Sequence, residues 1–260
     1  MRSPIKYYGG KSYMTKDLID RFPADYKVYV EGFGGGASVL FSKPQDGIEV
    51  YNDLYQGVYS LFKVMQDDEK FDKLKKRMDL SLYSRQLHDE YAAQLQKGDM
   101  DLEETAYRYL YVNRSSFNGV GGFSVSKYVR RGMCKSASDW LSMIDGLRAV
   151  HERLSSVVVE CMDIFDLIDK YDAPDTLFYL DPPYPHSTRK SSQRYCVEMS
   201  DEDHQKLVDR ISNITGHVIL TVYDHPIYDM LESTGYIKES IIRPNSKDVE
   251  TIYRNYRWGD

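Results

Sequence analysis

Asp181, Pro182, Pro183 and Tyr184 follow the apolar run LFYL and form the most chemically specific stretch of the chain. The Asp181 carboxylate and the Pro182 carbonyl are paired acceptors for an exocyclic amino group, placed to draw its lone pair out of conjugation with an aromatic ring. Consecutive prolines stiffen the turn that aims them. Tyr184 offers a flat face on which a base taken out of a nucleic-acid stack can lie. A rigid turn that merely closes a buried strand is the plainer alternative, but it has no use for an acid at the strand end or a tyrosine beside the prolines.

A second signal is GFGGGA at residues 32–37, between an expected strand ending in Glu31 and the helical pattern ASVLFSK. Glycines let the backbone approach a ligand closely at a helix N-terminus. The run fits GxGxxA, and Asp53, sixteen residues past Ala37, is an acid suited to ribose hydroxyls. Together they indicate a ribose-bearing cofactor without saying which, or else a glycine-rich turn with no ligand. The GK[ST] ending of a nucleotide-triphosphate loop is missing. Glu31 weighs against a dinucleotide, whose pyrophosphate would meet a carboxylate, and suits an ammonium or sulfonium charge. S-adenosylmethionine carries both and has no phosphate.

These residues need a scaffold, and the hydrophobic pattern supplies one. Apolar and β-branched runs near Val28–Glu31, Ile48–Asn52, Val157–Glu160, Thr176–Leu180, Val218–Val222, Ile237–Ile242 and Thr251–Tyr256 alternate with helical patterns, which predicts an α/β fold with a mostly parallel sheet of about seven strands. In such sheets ligands gather at the carboxyl ends of strands, so the turns at Glu31, Asn52–Asp53 and Asp181 are expected to share one crevice. From Leu54 to Ser155 the periodicity is helical (Val58, Leu61, Phe62, Met65, then Leu82, Leu87, Tyr91, Leu95), which marks a mainly helical insertion near the lower size limit of a domain. The expected division is 1–53 with 156–260, and 54–155 inserted between them.

Across 260 residues, 34 basic side chains face 40 acidic ones, a net charge of −6 that argues mildly against a nucleic-acid partner. The balance is uneven, however. Arg108, Arg114, Lys127, Arg130, Arg131 and Lys135 fall in a stretch with no acid, whereas residues 67–104 are rich in acids, so one face can be basic. Three scattered cysteines (Cys134, Cys161, Cys196) suit a reducing compartment and form neither a disulfide framework nor a zinc site, and no metal constellation is visible. With no signal peptide and no spanning apolar run, the expectation is a cytoplasmic protein, in a bacterial cell or a phage-infected host, with no membrane association and no obligate protein partner.

In this order of motifs the chain resembles the amino-group DNA methyltransferases, specifically the Dam-type adenine enzymes that include many phage members. IKYYGGKS at 5–12 resembles their N-terminal cofactor motif; VEGFGGGASV their glycine motif, with Gly32 where the family usually has Pro; YNDL the acidic ribose contact. VVVECMDIFD resembles the segment that holds the cofactor adenine, DPPY is the catalytic motif, and ETIYRNY resembles the final strand. The resemblance implies a Rossmann-like class I methyltransferase domain carrying an inserted target-recognition domain. It also implies that Tyr7, Lys11, Asp53, Asp163 and Asp181 touch S-adenosylmethionine, with Gly34 allowing close approach. Each has a plainer alternative: Tyr7 and Tyr8 as core aromatics, Lys11 as a surface cation, Asp163 as a helix N-cap before IFDLI.

NRSSFNG at 113–119 resembles the family's NR-x-x-(aromatic)-NG segment. By that resemblance Phe117 fills the stack that a flipped adenine vacates and Asn118 bonds the orphaned partner base. Arg114, Lys127, Arg130 and Arg131 would hold phosphates of duplex DNA, and Arg189, Lys190 and Arg194 would form a basic flap; a solvated loop is the alternative for each stretch. The chain after Gly119 is shorter than in the GATC-reading members, a departure that puts GATC specificity in doubt and leaves the recognition sequence open.

The expected activity is therefore methyl transfer from S-adenosylmethionine to N6 of adenine in double-stranded DNA, with Asp181, Pro182 and Tyr184 as the catalytic residues. Three rivals remain open: a methyltransferase acting on cytosine amino groups or RNA adenine, a catalytically silent DNA- or cofactor-binding protein, and an NAD-dependent oxidoreductase, in which DPPY would have no role.

Overall fold

The computed structural model of the chain describes residues 1–7, 9–185, 197–242 and 249–257. In chain order the first part holds α1 (Thr15–Ile19), β1 (Val28–Glu31), α2 (Ser38–Ser42) and β2 (Ile48–Asn52). The middle holds α3 (Gln56–Gln66), α4 (Asp68–Leu80), α5 (Arg85–Lys97), α6 (Leu102–Ser115), a short hairpin of β3 (Val129–Arg130) and β4 (Met133–Cys134), and α7 (Lys135–Leu154). The last part holds β5 (Val157–Glu160), α8 (Ile164–Tyr171), β6 (Thr176–Leu180), α9 (Asp201–Ile211), β7 (His217–Val222), a 3-10 turn at Pro226–Tyr228, α10 (Met230–Ser233), β8 (Ile237–Ile242) and β9 (Val249–Arg254).

Seven strands make one sheet in the order β5-β2-β1-β6-β7-β9-β8, and β3 with β4 makes a separate ribbon. β1 pairs in parallel with β2 and β6, and β6 with β7. β9 runs antiparallel to both β7 and β8. The fold is thus mixed α/β, with a mostly parallel sheet and a helical region, as the alternating pattern predicts. β9 departs from its expected bounds by starting two residues earlier, because its pairing with β8 begins at Val249 opposite Ile242.

Two compact units divide the chain: Met1–Gly10 with Gln56–Val159, and Lys11–Tyr55 with Glu160–Asp260. In the second, alternate strand residues Val30, Val50, Phe178, Leu180, Val218 and Leu220 are buried against Ile164, Leu167 and Ile168 of α8 and Leu207, Val208 and Ile211 of α9. All five residues of β6 are buried, as a central parallel strand requires. Asp163 caps α8, and Ser200 with Asp203 forms a capping box on α9. In the first unit α3 and α6 pack along each other, with Tyr91, Tyr107, Tyr111 and Trp140 making a chain of edge and tilted ring contacts at separations of 4.9–6.3 Å.

Register brings the functional turns to one edge of the sheet. Glu31 pairs with Tyr51 on one side and Tyr179 on the other, so β1, β2 and β6 end level. The chain leaves β1 toward β2 on one side and returns with β6 on the other, which makes the gap beyond β1 and β6 the topological switch point. β9 faces the opposite way, with Thr251 opposite Val222, so its first residues lie at the same edge. No described helix is long and apolar enough to cross a membrane.

Candidate active site

Asp181 stands immediately past the end of β6, at the switch point. Lys11 donates to both of its oxygens, at 2.8 Å to Oδ1 and 2.9 Å to Oδ2. Thr221 of β7, the next strand over, donates from Oγ1 to Oδ1 at 2.8 Å. Burial raises the Asp181 carboxyl, the Lys11 ammonium opposes that rise, and the nearby Glu250 carboxylate adds to it. Oδ2 accepts from Lys11 alone among the described residues and so keeps acceptor capacity for a further donor.

Tyr184 is 4% exposed and tightly held. Its hydroxyl donates to Glu250 Oε2 at 2.7 Å and lies 3.4 Å from Asp181 Oδ1. The Tyr223 ring packs against it, with centroids 4.3 Å apart, and Lys11 Nζ lies 4.8 Å from its centroid. DPPY therefore delivers an acid and an aromatic face to one place, and Lys11 touches both.

The cofactor-motif turns are joined by a residue that sequence reasoning passed over. The buried Asn52 amide donates to the carbonyls of Gly32 (3.0 Å) and Met162 (3.1 Å) and accepts from Met162 N–H at 2.9 Å. It thereby ties the glycine turn, Asp53 and the approach to Asp163 to one another. Asp53 is buried, and its carboxylate accepts from Gly35 N–H at 2.7 Å and Tyr55 N–H at 2.8 Å. Burial raises its carboxyl and these two donors oppose the rise. Asp163 is exposed and accepts from Phe165 N–H at 2.8 Å as the cap of α8. At Gly34 a Cβ would stand 2.0 Å from the Tyr51 ring, so glycine is needed there for the tyrosine that bonds Gly35 O at 2.7 Å. Gly32 N–H donates to Tyr179 O at 3.0 Å, a bond that a proline at this position could not make.

Glu31 differs from its expected part. Its Oε2 accepts from Tyr29 Oη at 2.7 Å and from Leu40 N–H at 2.8 Å, so it steadies the first turn of α2. Burial pushes its carboxyl up to about 8 against those two donors, and a mostly neutral group does not select a cofactor by charge. Among the described residues no group of three or more His, Cys, Asp or Glu could hold a metal ion.

Residues 7–253 match the D12 class of N6 adenine-specific DNA methyltransferases, nearly the whole chain. The chain belongs to that family. It is 25% identical over 229 residues to the type II methyltransferase M.MjaIII of Methanocaldococcus jannaschii, covering 78% of this chain and 76% of the relative. It is 22% identical over 255 residues to the type II methyltransferase M.CviBI of Paramecium bursaria Chlorella virus NC1A, covering 92% and 91%. A third relative, modification methylase StsI of Streptococcus sanguinis, is 21% identical over 234 residues, 84% of this chain and 34% of that protein. The enzyme is thus an S-adenosylmethionine-dependent DNA adenine-N6 methyltransferase, and its substrate is DNA.

The residues expected to meet DNA lie in the D12 enzyme's helical unit. Phe117 is 60% exposed on a tight loop in which Phe117 N–H bonds Gly122 O at 3.0 Å and Gly121 N–H bonds Phe117 O at 3.0 Å. Asn118, also exposed, has a φ of 53°. Asn113 anchors this loop: it accepts from Lys6 N–H at 2.8 Å and donates to Lys6 O at 2.7 Å, while Lys6 Nζ caps the end of α6 at the carbonyls of Arg114 and Ser116, both at 2.9 Å. Gly119, at φ 84°, passes so close that a Cβ would be 2.3 Å from Lys6 O. Tyr7 belongs to this unit, whereas Lys11, Asp53, Asp163 and Asp181 belong to the other.

The acid-free stretch is less bare of acids in space than in sequence. Asp139, one helical turn past Lys135, pairs with it at 2.6 Å and also with Arg130, and Glu104 pairs with Arg108 at 2.5 Å. Arg114 is half-buried, with its Nε enclosed and without a hydrogen-bond partner among the described residues. Lys127 and Arg131 are exposed, and Arg131 donates to Ser142 Oγ at 3.1 Å. Tyr8, Arg189, Lys190 and Arg194 lie outside the described residues.

Proposed function

We propose that the sheet-bearing part of this DNA adenine methyltransferase is a class I methyltransferase domain and that residues 54–155 form an inserted target-recognition domain. The observation that carries the reading is Asp181 at the switch point, held by Lys11 and Thr221, with acceptor capacity left on Oδ2 and an aromatic ring three residues on. Such a site suits a base brought in from outside the duplex, with its amino group on the acceptors and its ring against Tyr184.

The strand-end residues fit S-adenosylmethionine. The turns that Asn52 ties together carry Asp53 and Asp163, carboxylates whose chemistry suits a ligand with hydroxyls, an adenine amino group, an ammonium and no phosphate. Lys11, Asp53, Asp163 and Asp181 are the residues that would hold it in this unit, with Gly34 shaping the turn. When bound, the cofactor supplies a methyl group activated by its sulfonium.

The chain's own groups do the rest. Extruding the adenine costs roughly a few kcal/mol of stacking and pairing, offset by Phe117 filling the gap and Asn118 meeting the partner base. Asp181 and the Pro182 carbonyl would accept hydrogen bonds from the amino group, which draws the nitrogen lone pair out of conjugation and leaves it free to attack. Positive charge that would grow on the amino nitrogen during transfer is what a fixed carboxylate such as Asp181 stabilises best. The methylated amino nitrogen would be strongly acidic and would lose its proton to solvent during or after transfer, so no strong general base is needed. Stacking on Tyr184 requires Lys11 or Tyr223 to yield part of the ring. Arg114, Lys127, Arg130 and Arg131 would contact phosphates, which position the duplex without reading it.

The test is transfer of labelled methyl groups to unmethylated duplex DNA, with the product bases identified. Label in N6-methyladenine at one short sequence is the expected result. Label in cytosine, or in RNA alone, would overturn the reading.

A further inference from the structure

Glu250 is a buried acid that the transfer chemistry leaves without a part. It is the second residue of β9, set beside the outgoing end of β7 by the antiparallel register that puts Thr251 opposite Val222. It is 2% exposed, and its oxygens are divided between two phenols: Oε1 accepts from Tyr13 at 2.6 Å and Oε2 from Tyr184 at 2.7 Å. Tyr13 comes two residues after Lys11, and Tyr184 three residues after Asp181. One carboxylate thus anchors the two turns that carry the ammonium and the acid of the site.

A carboxylate removed from water is costly unless well bonded, and phenol donors give it short, charge-assisted bonds with a narrow choice of direction. An acid here also opposes ionisation of Asp181 nearby. A bond between neutral groups would tie the same turns together without that penalty. What the carboxylate adds is stiffness in where the Tyr184 hydroxyl points, and so in the tilt and depth of its ring.

We propose that Glu250 is a positioning residue for methyl transfer: it fixes the Tyr184 ring against which the target adenine stacks, and through Tyr13 it steadies the turn that carries Lys11. The proposal rests on the reading that Tyr184 receives the base. It concerns the rate of the chemical step more than cofactor affinity, because misplacement by a fraction of an ångström acts on reactive geometry.

The test is steady-state methyl transfer to unmethylated duplex DNA by Glu250→Ala, Glu250→Gln, Tyr184→Phe, Tyr184→Ala and the Glu250→Ala/Tyr184→Phe double variant, with the melting temperature of each. Glu250→Ala is expected to lower kcat between about tenfold and a hundredfold with little change in KM for S-adenosylmethionine. Glu250→Gln, whose amide oxygen accepts from one phenol while its NH2 donates to the other, restores both links without the charge-assisted bonds and should recover only part of the rate. In the Tyr184→Phe background Glu250→Ala should cost less than it does in the wild type, since the Tyr184 bond is already gone and only the Tyr13 bond remains to lose. Should Glu250→Ala fail to fold, Tyr184→Phe alone cuts the Tyr184 half of the anchor. Undiminished kcat in Tyr184→Phe, or fully additive losses in the double variant, overturns the role of Glu250. Full activity in Tyr184→Ala overturns the stacking reading itself.

Discussion

Lys11 Nζ bonds both oxygens of Asp181, at 2.8 and 2.9 Å, from a side chain that is 2% exposed. The pair joins the N-terminal motif to DPPY across 170 residues of sequence and explains how an acid can stay ionised at a site that burial makes unfavourable for charge. An ionised Asp181 accepts hydrogen bonds from an amino group; a protonated one competes with it as a donor.

Replacing Lys11 with Met should therefore raise the Asp181 carboxyl further. With Asp181 in its proposed role the protonated enzyme is the inactive form, so the acidic limb of the pH–rate profile should move to higher pH. Below that limb, each unit of upward shift costs about tenfold in rate at a given pH. Turnover numbers measured at saturating cofactor across the acid range check this. A limb that stays in place would remove Lys11 from control of Asp181.

Glu31 should make its presence felt in stability. Its carboxyl stands at about 8 in the fold against an ordinary value of 4.5. A raised acid favours the folded state fully below the ordinary value, and that contribution is lost as the pH rises through 4.5 and on to about 8. Glu31→Gln keeps an oxygen for Tyr29 and Leu40 and has no charge to bury. The variant should match the wild type near pH 4.5 and exceed it by on the order of a few kcal/mol above pH 8. Equal melting-temperature differences at both ends of that range would contradict it.

The salt dependence of DNA binding should separate the cations by their present partners. Lys127→Ala with Arg131→Ala should flatten the slope of log affinity against log salt by about two, one for each phosphate left without its cation. Arg130→Ala should change it less, since Arg130 must first leave Asp139. Anisotropy titrations of a duplex at several salt concentrations give these slopes. An unchanged slope in the Lys127/Arg131 variant would place the phosphate track elsewhere.

What the sequence made legible was local. The period of the apolar runs placed β1, β2, β5, β6 and β8 to the residue, because each is a short β-branched or aromatic run between turn residues. β9 was harder: Val249 and Glu250 follow a polar stretch and join the strand only through pairing with β8. The Asp181 motif was likewise readable, since its acid, prolines and aromatic are adjacent. Asn52, Thr221 and Glu250 were not, because their use depends on which turns and strands lie side by side. Asn113 was seen as part of a motif, but its partner Lys6 is 107 residues away. Asp139 shows the same limit from the other side, since an acid outside the basic stretch neutralises cations within it.

The most direct measurement is single-turnover methyl transfer from labelled S-adenosylmethionine to unmethylated duplex DNA by the wild type and by Asp181→Ala, with melting temperature and cofactor binding measured alongside. The wild type should place label in N6-methyladenine, and Asp181→Ala, folded, should place none. Transfer at an undiminished rate by folded Asp181→Ala would contradict the assignment of Asp181 as the acceptor that prepares the adenine amino group for attack.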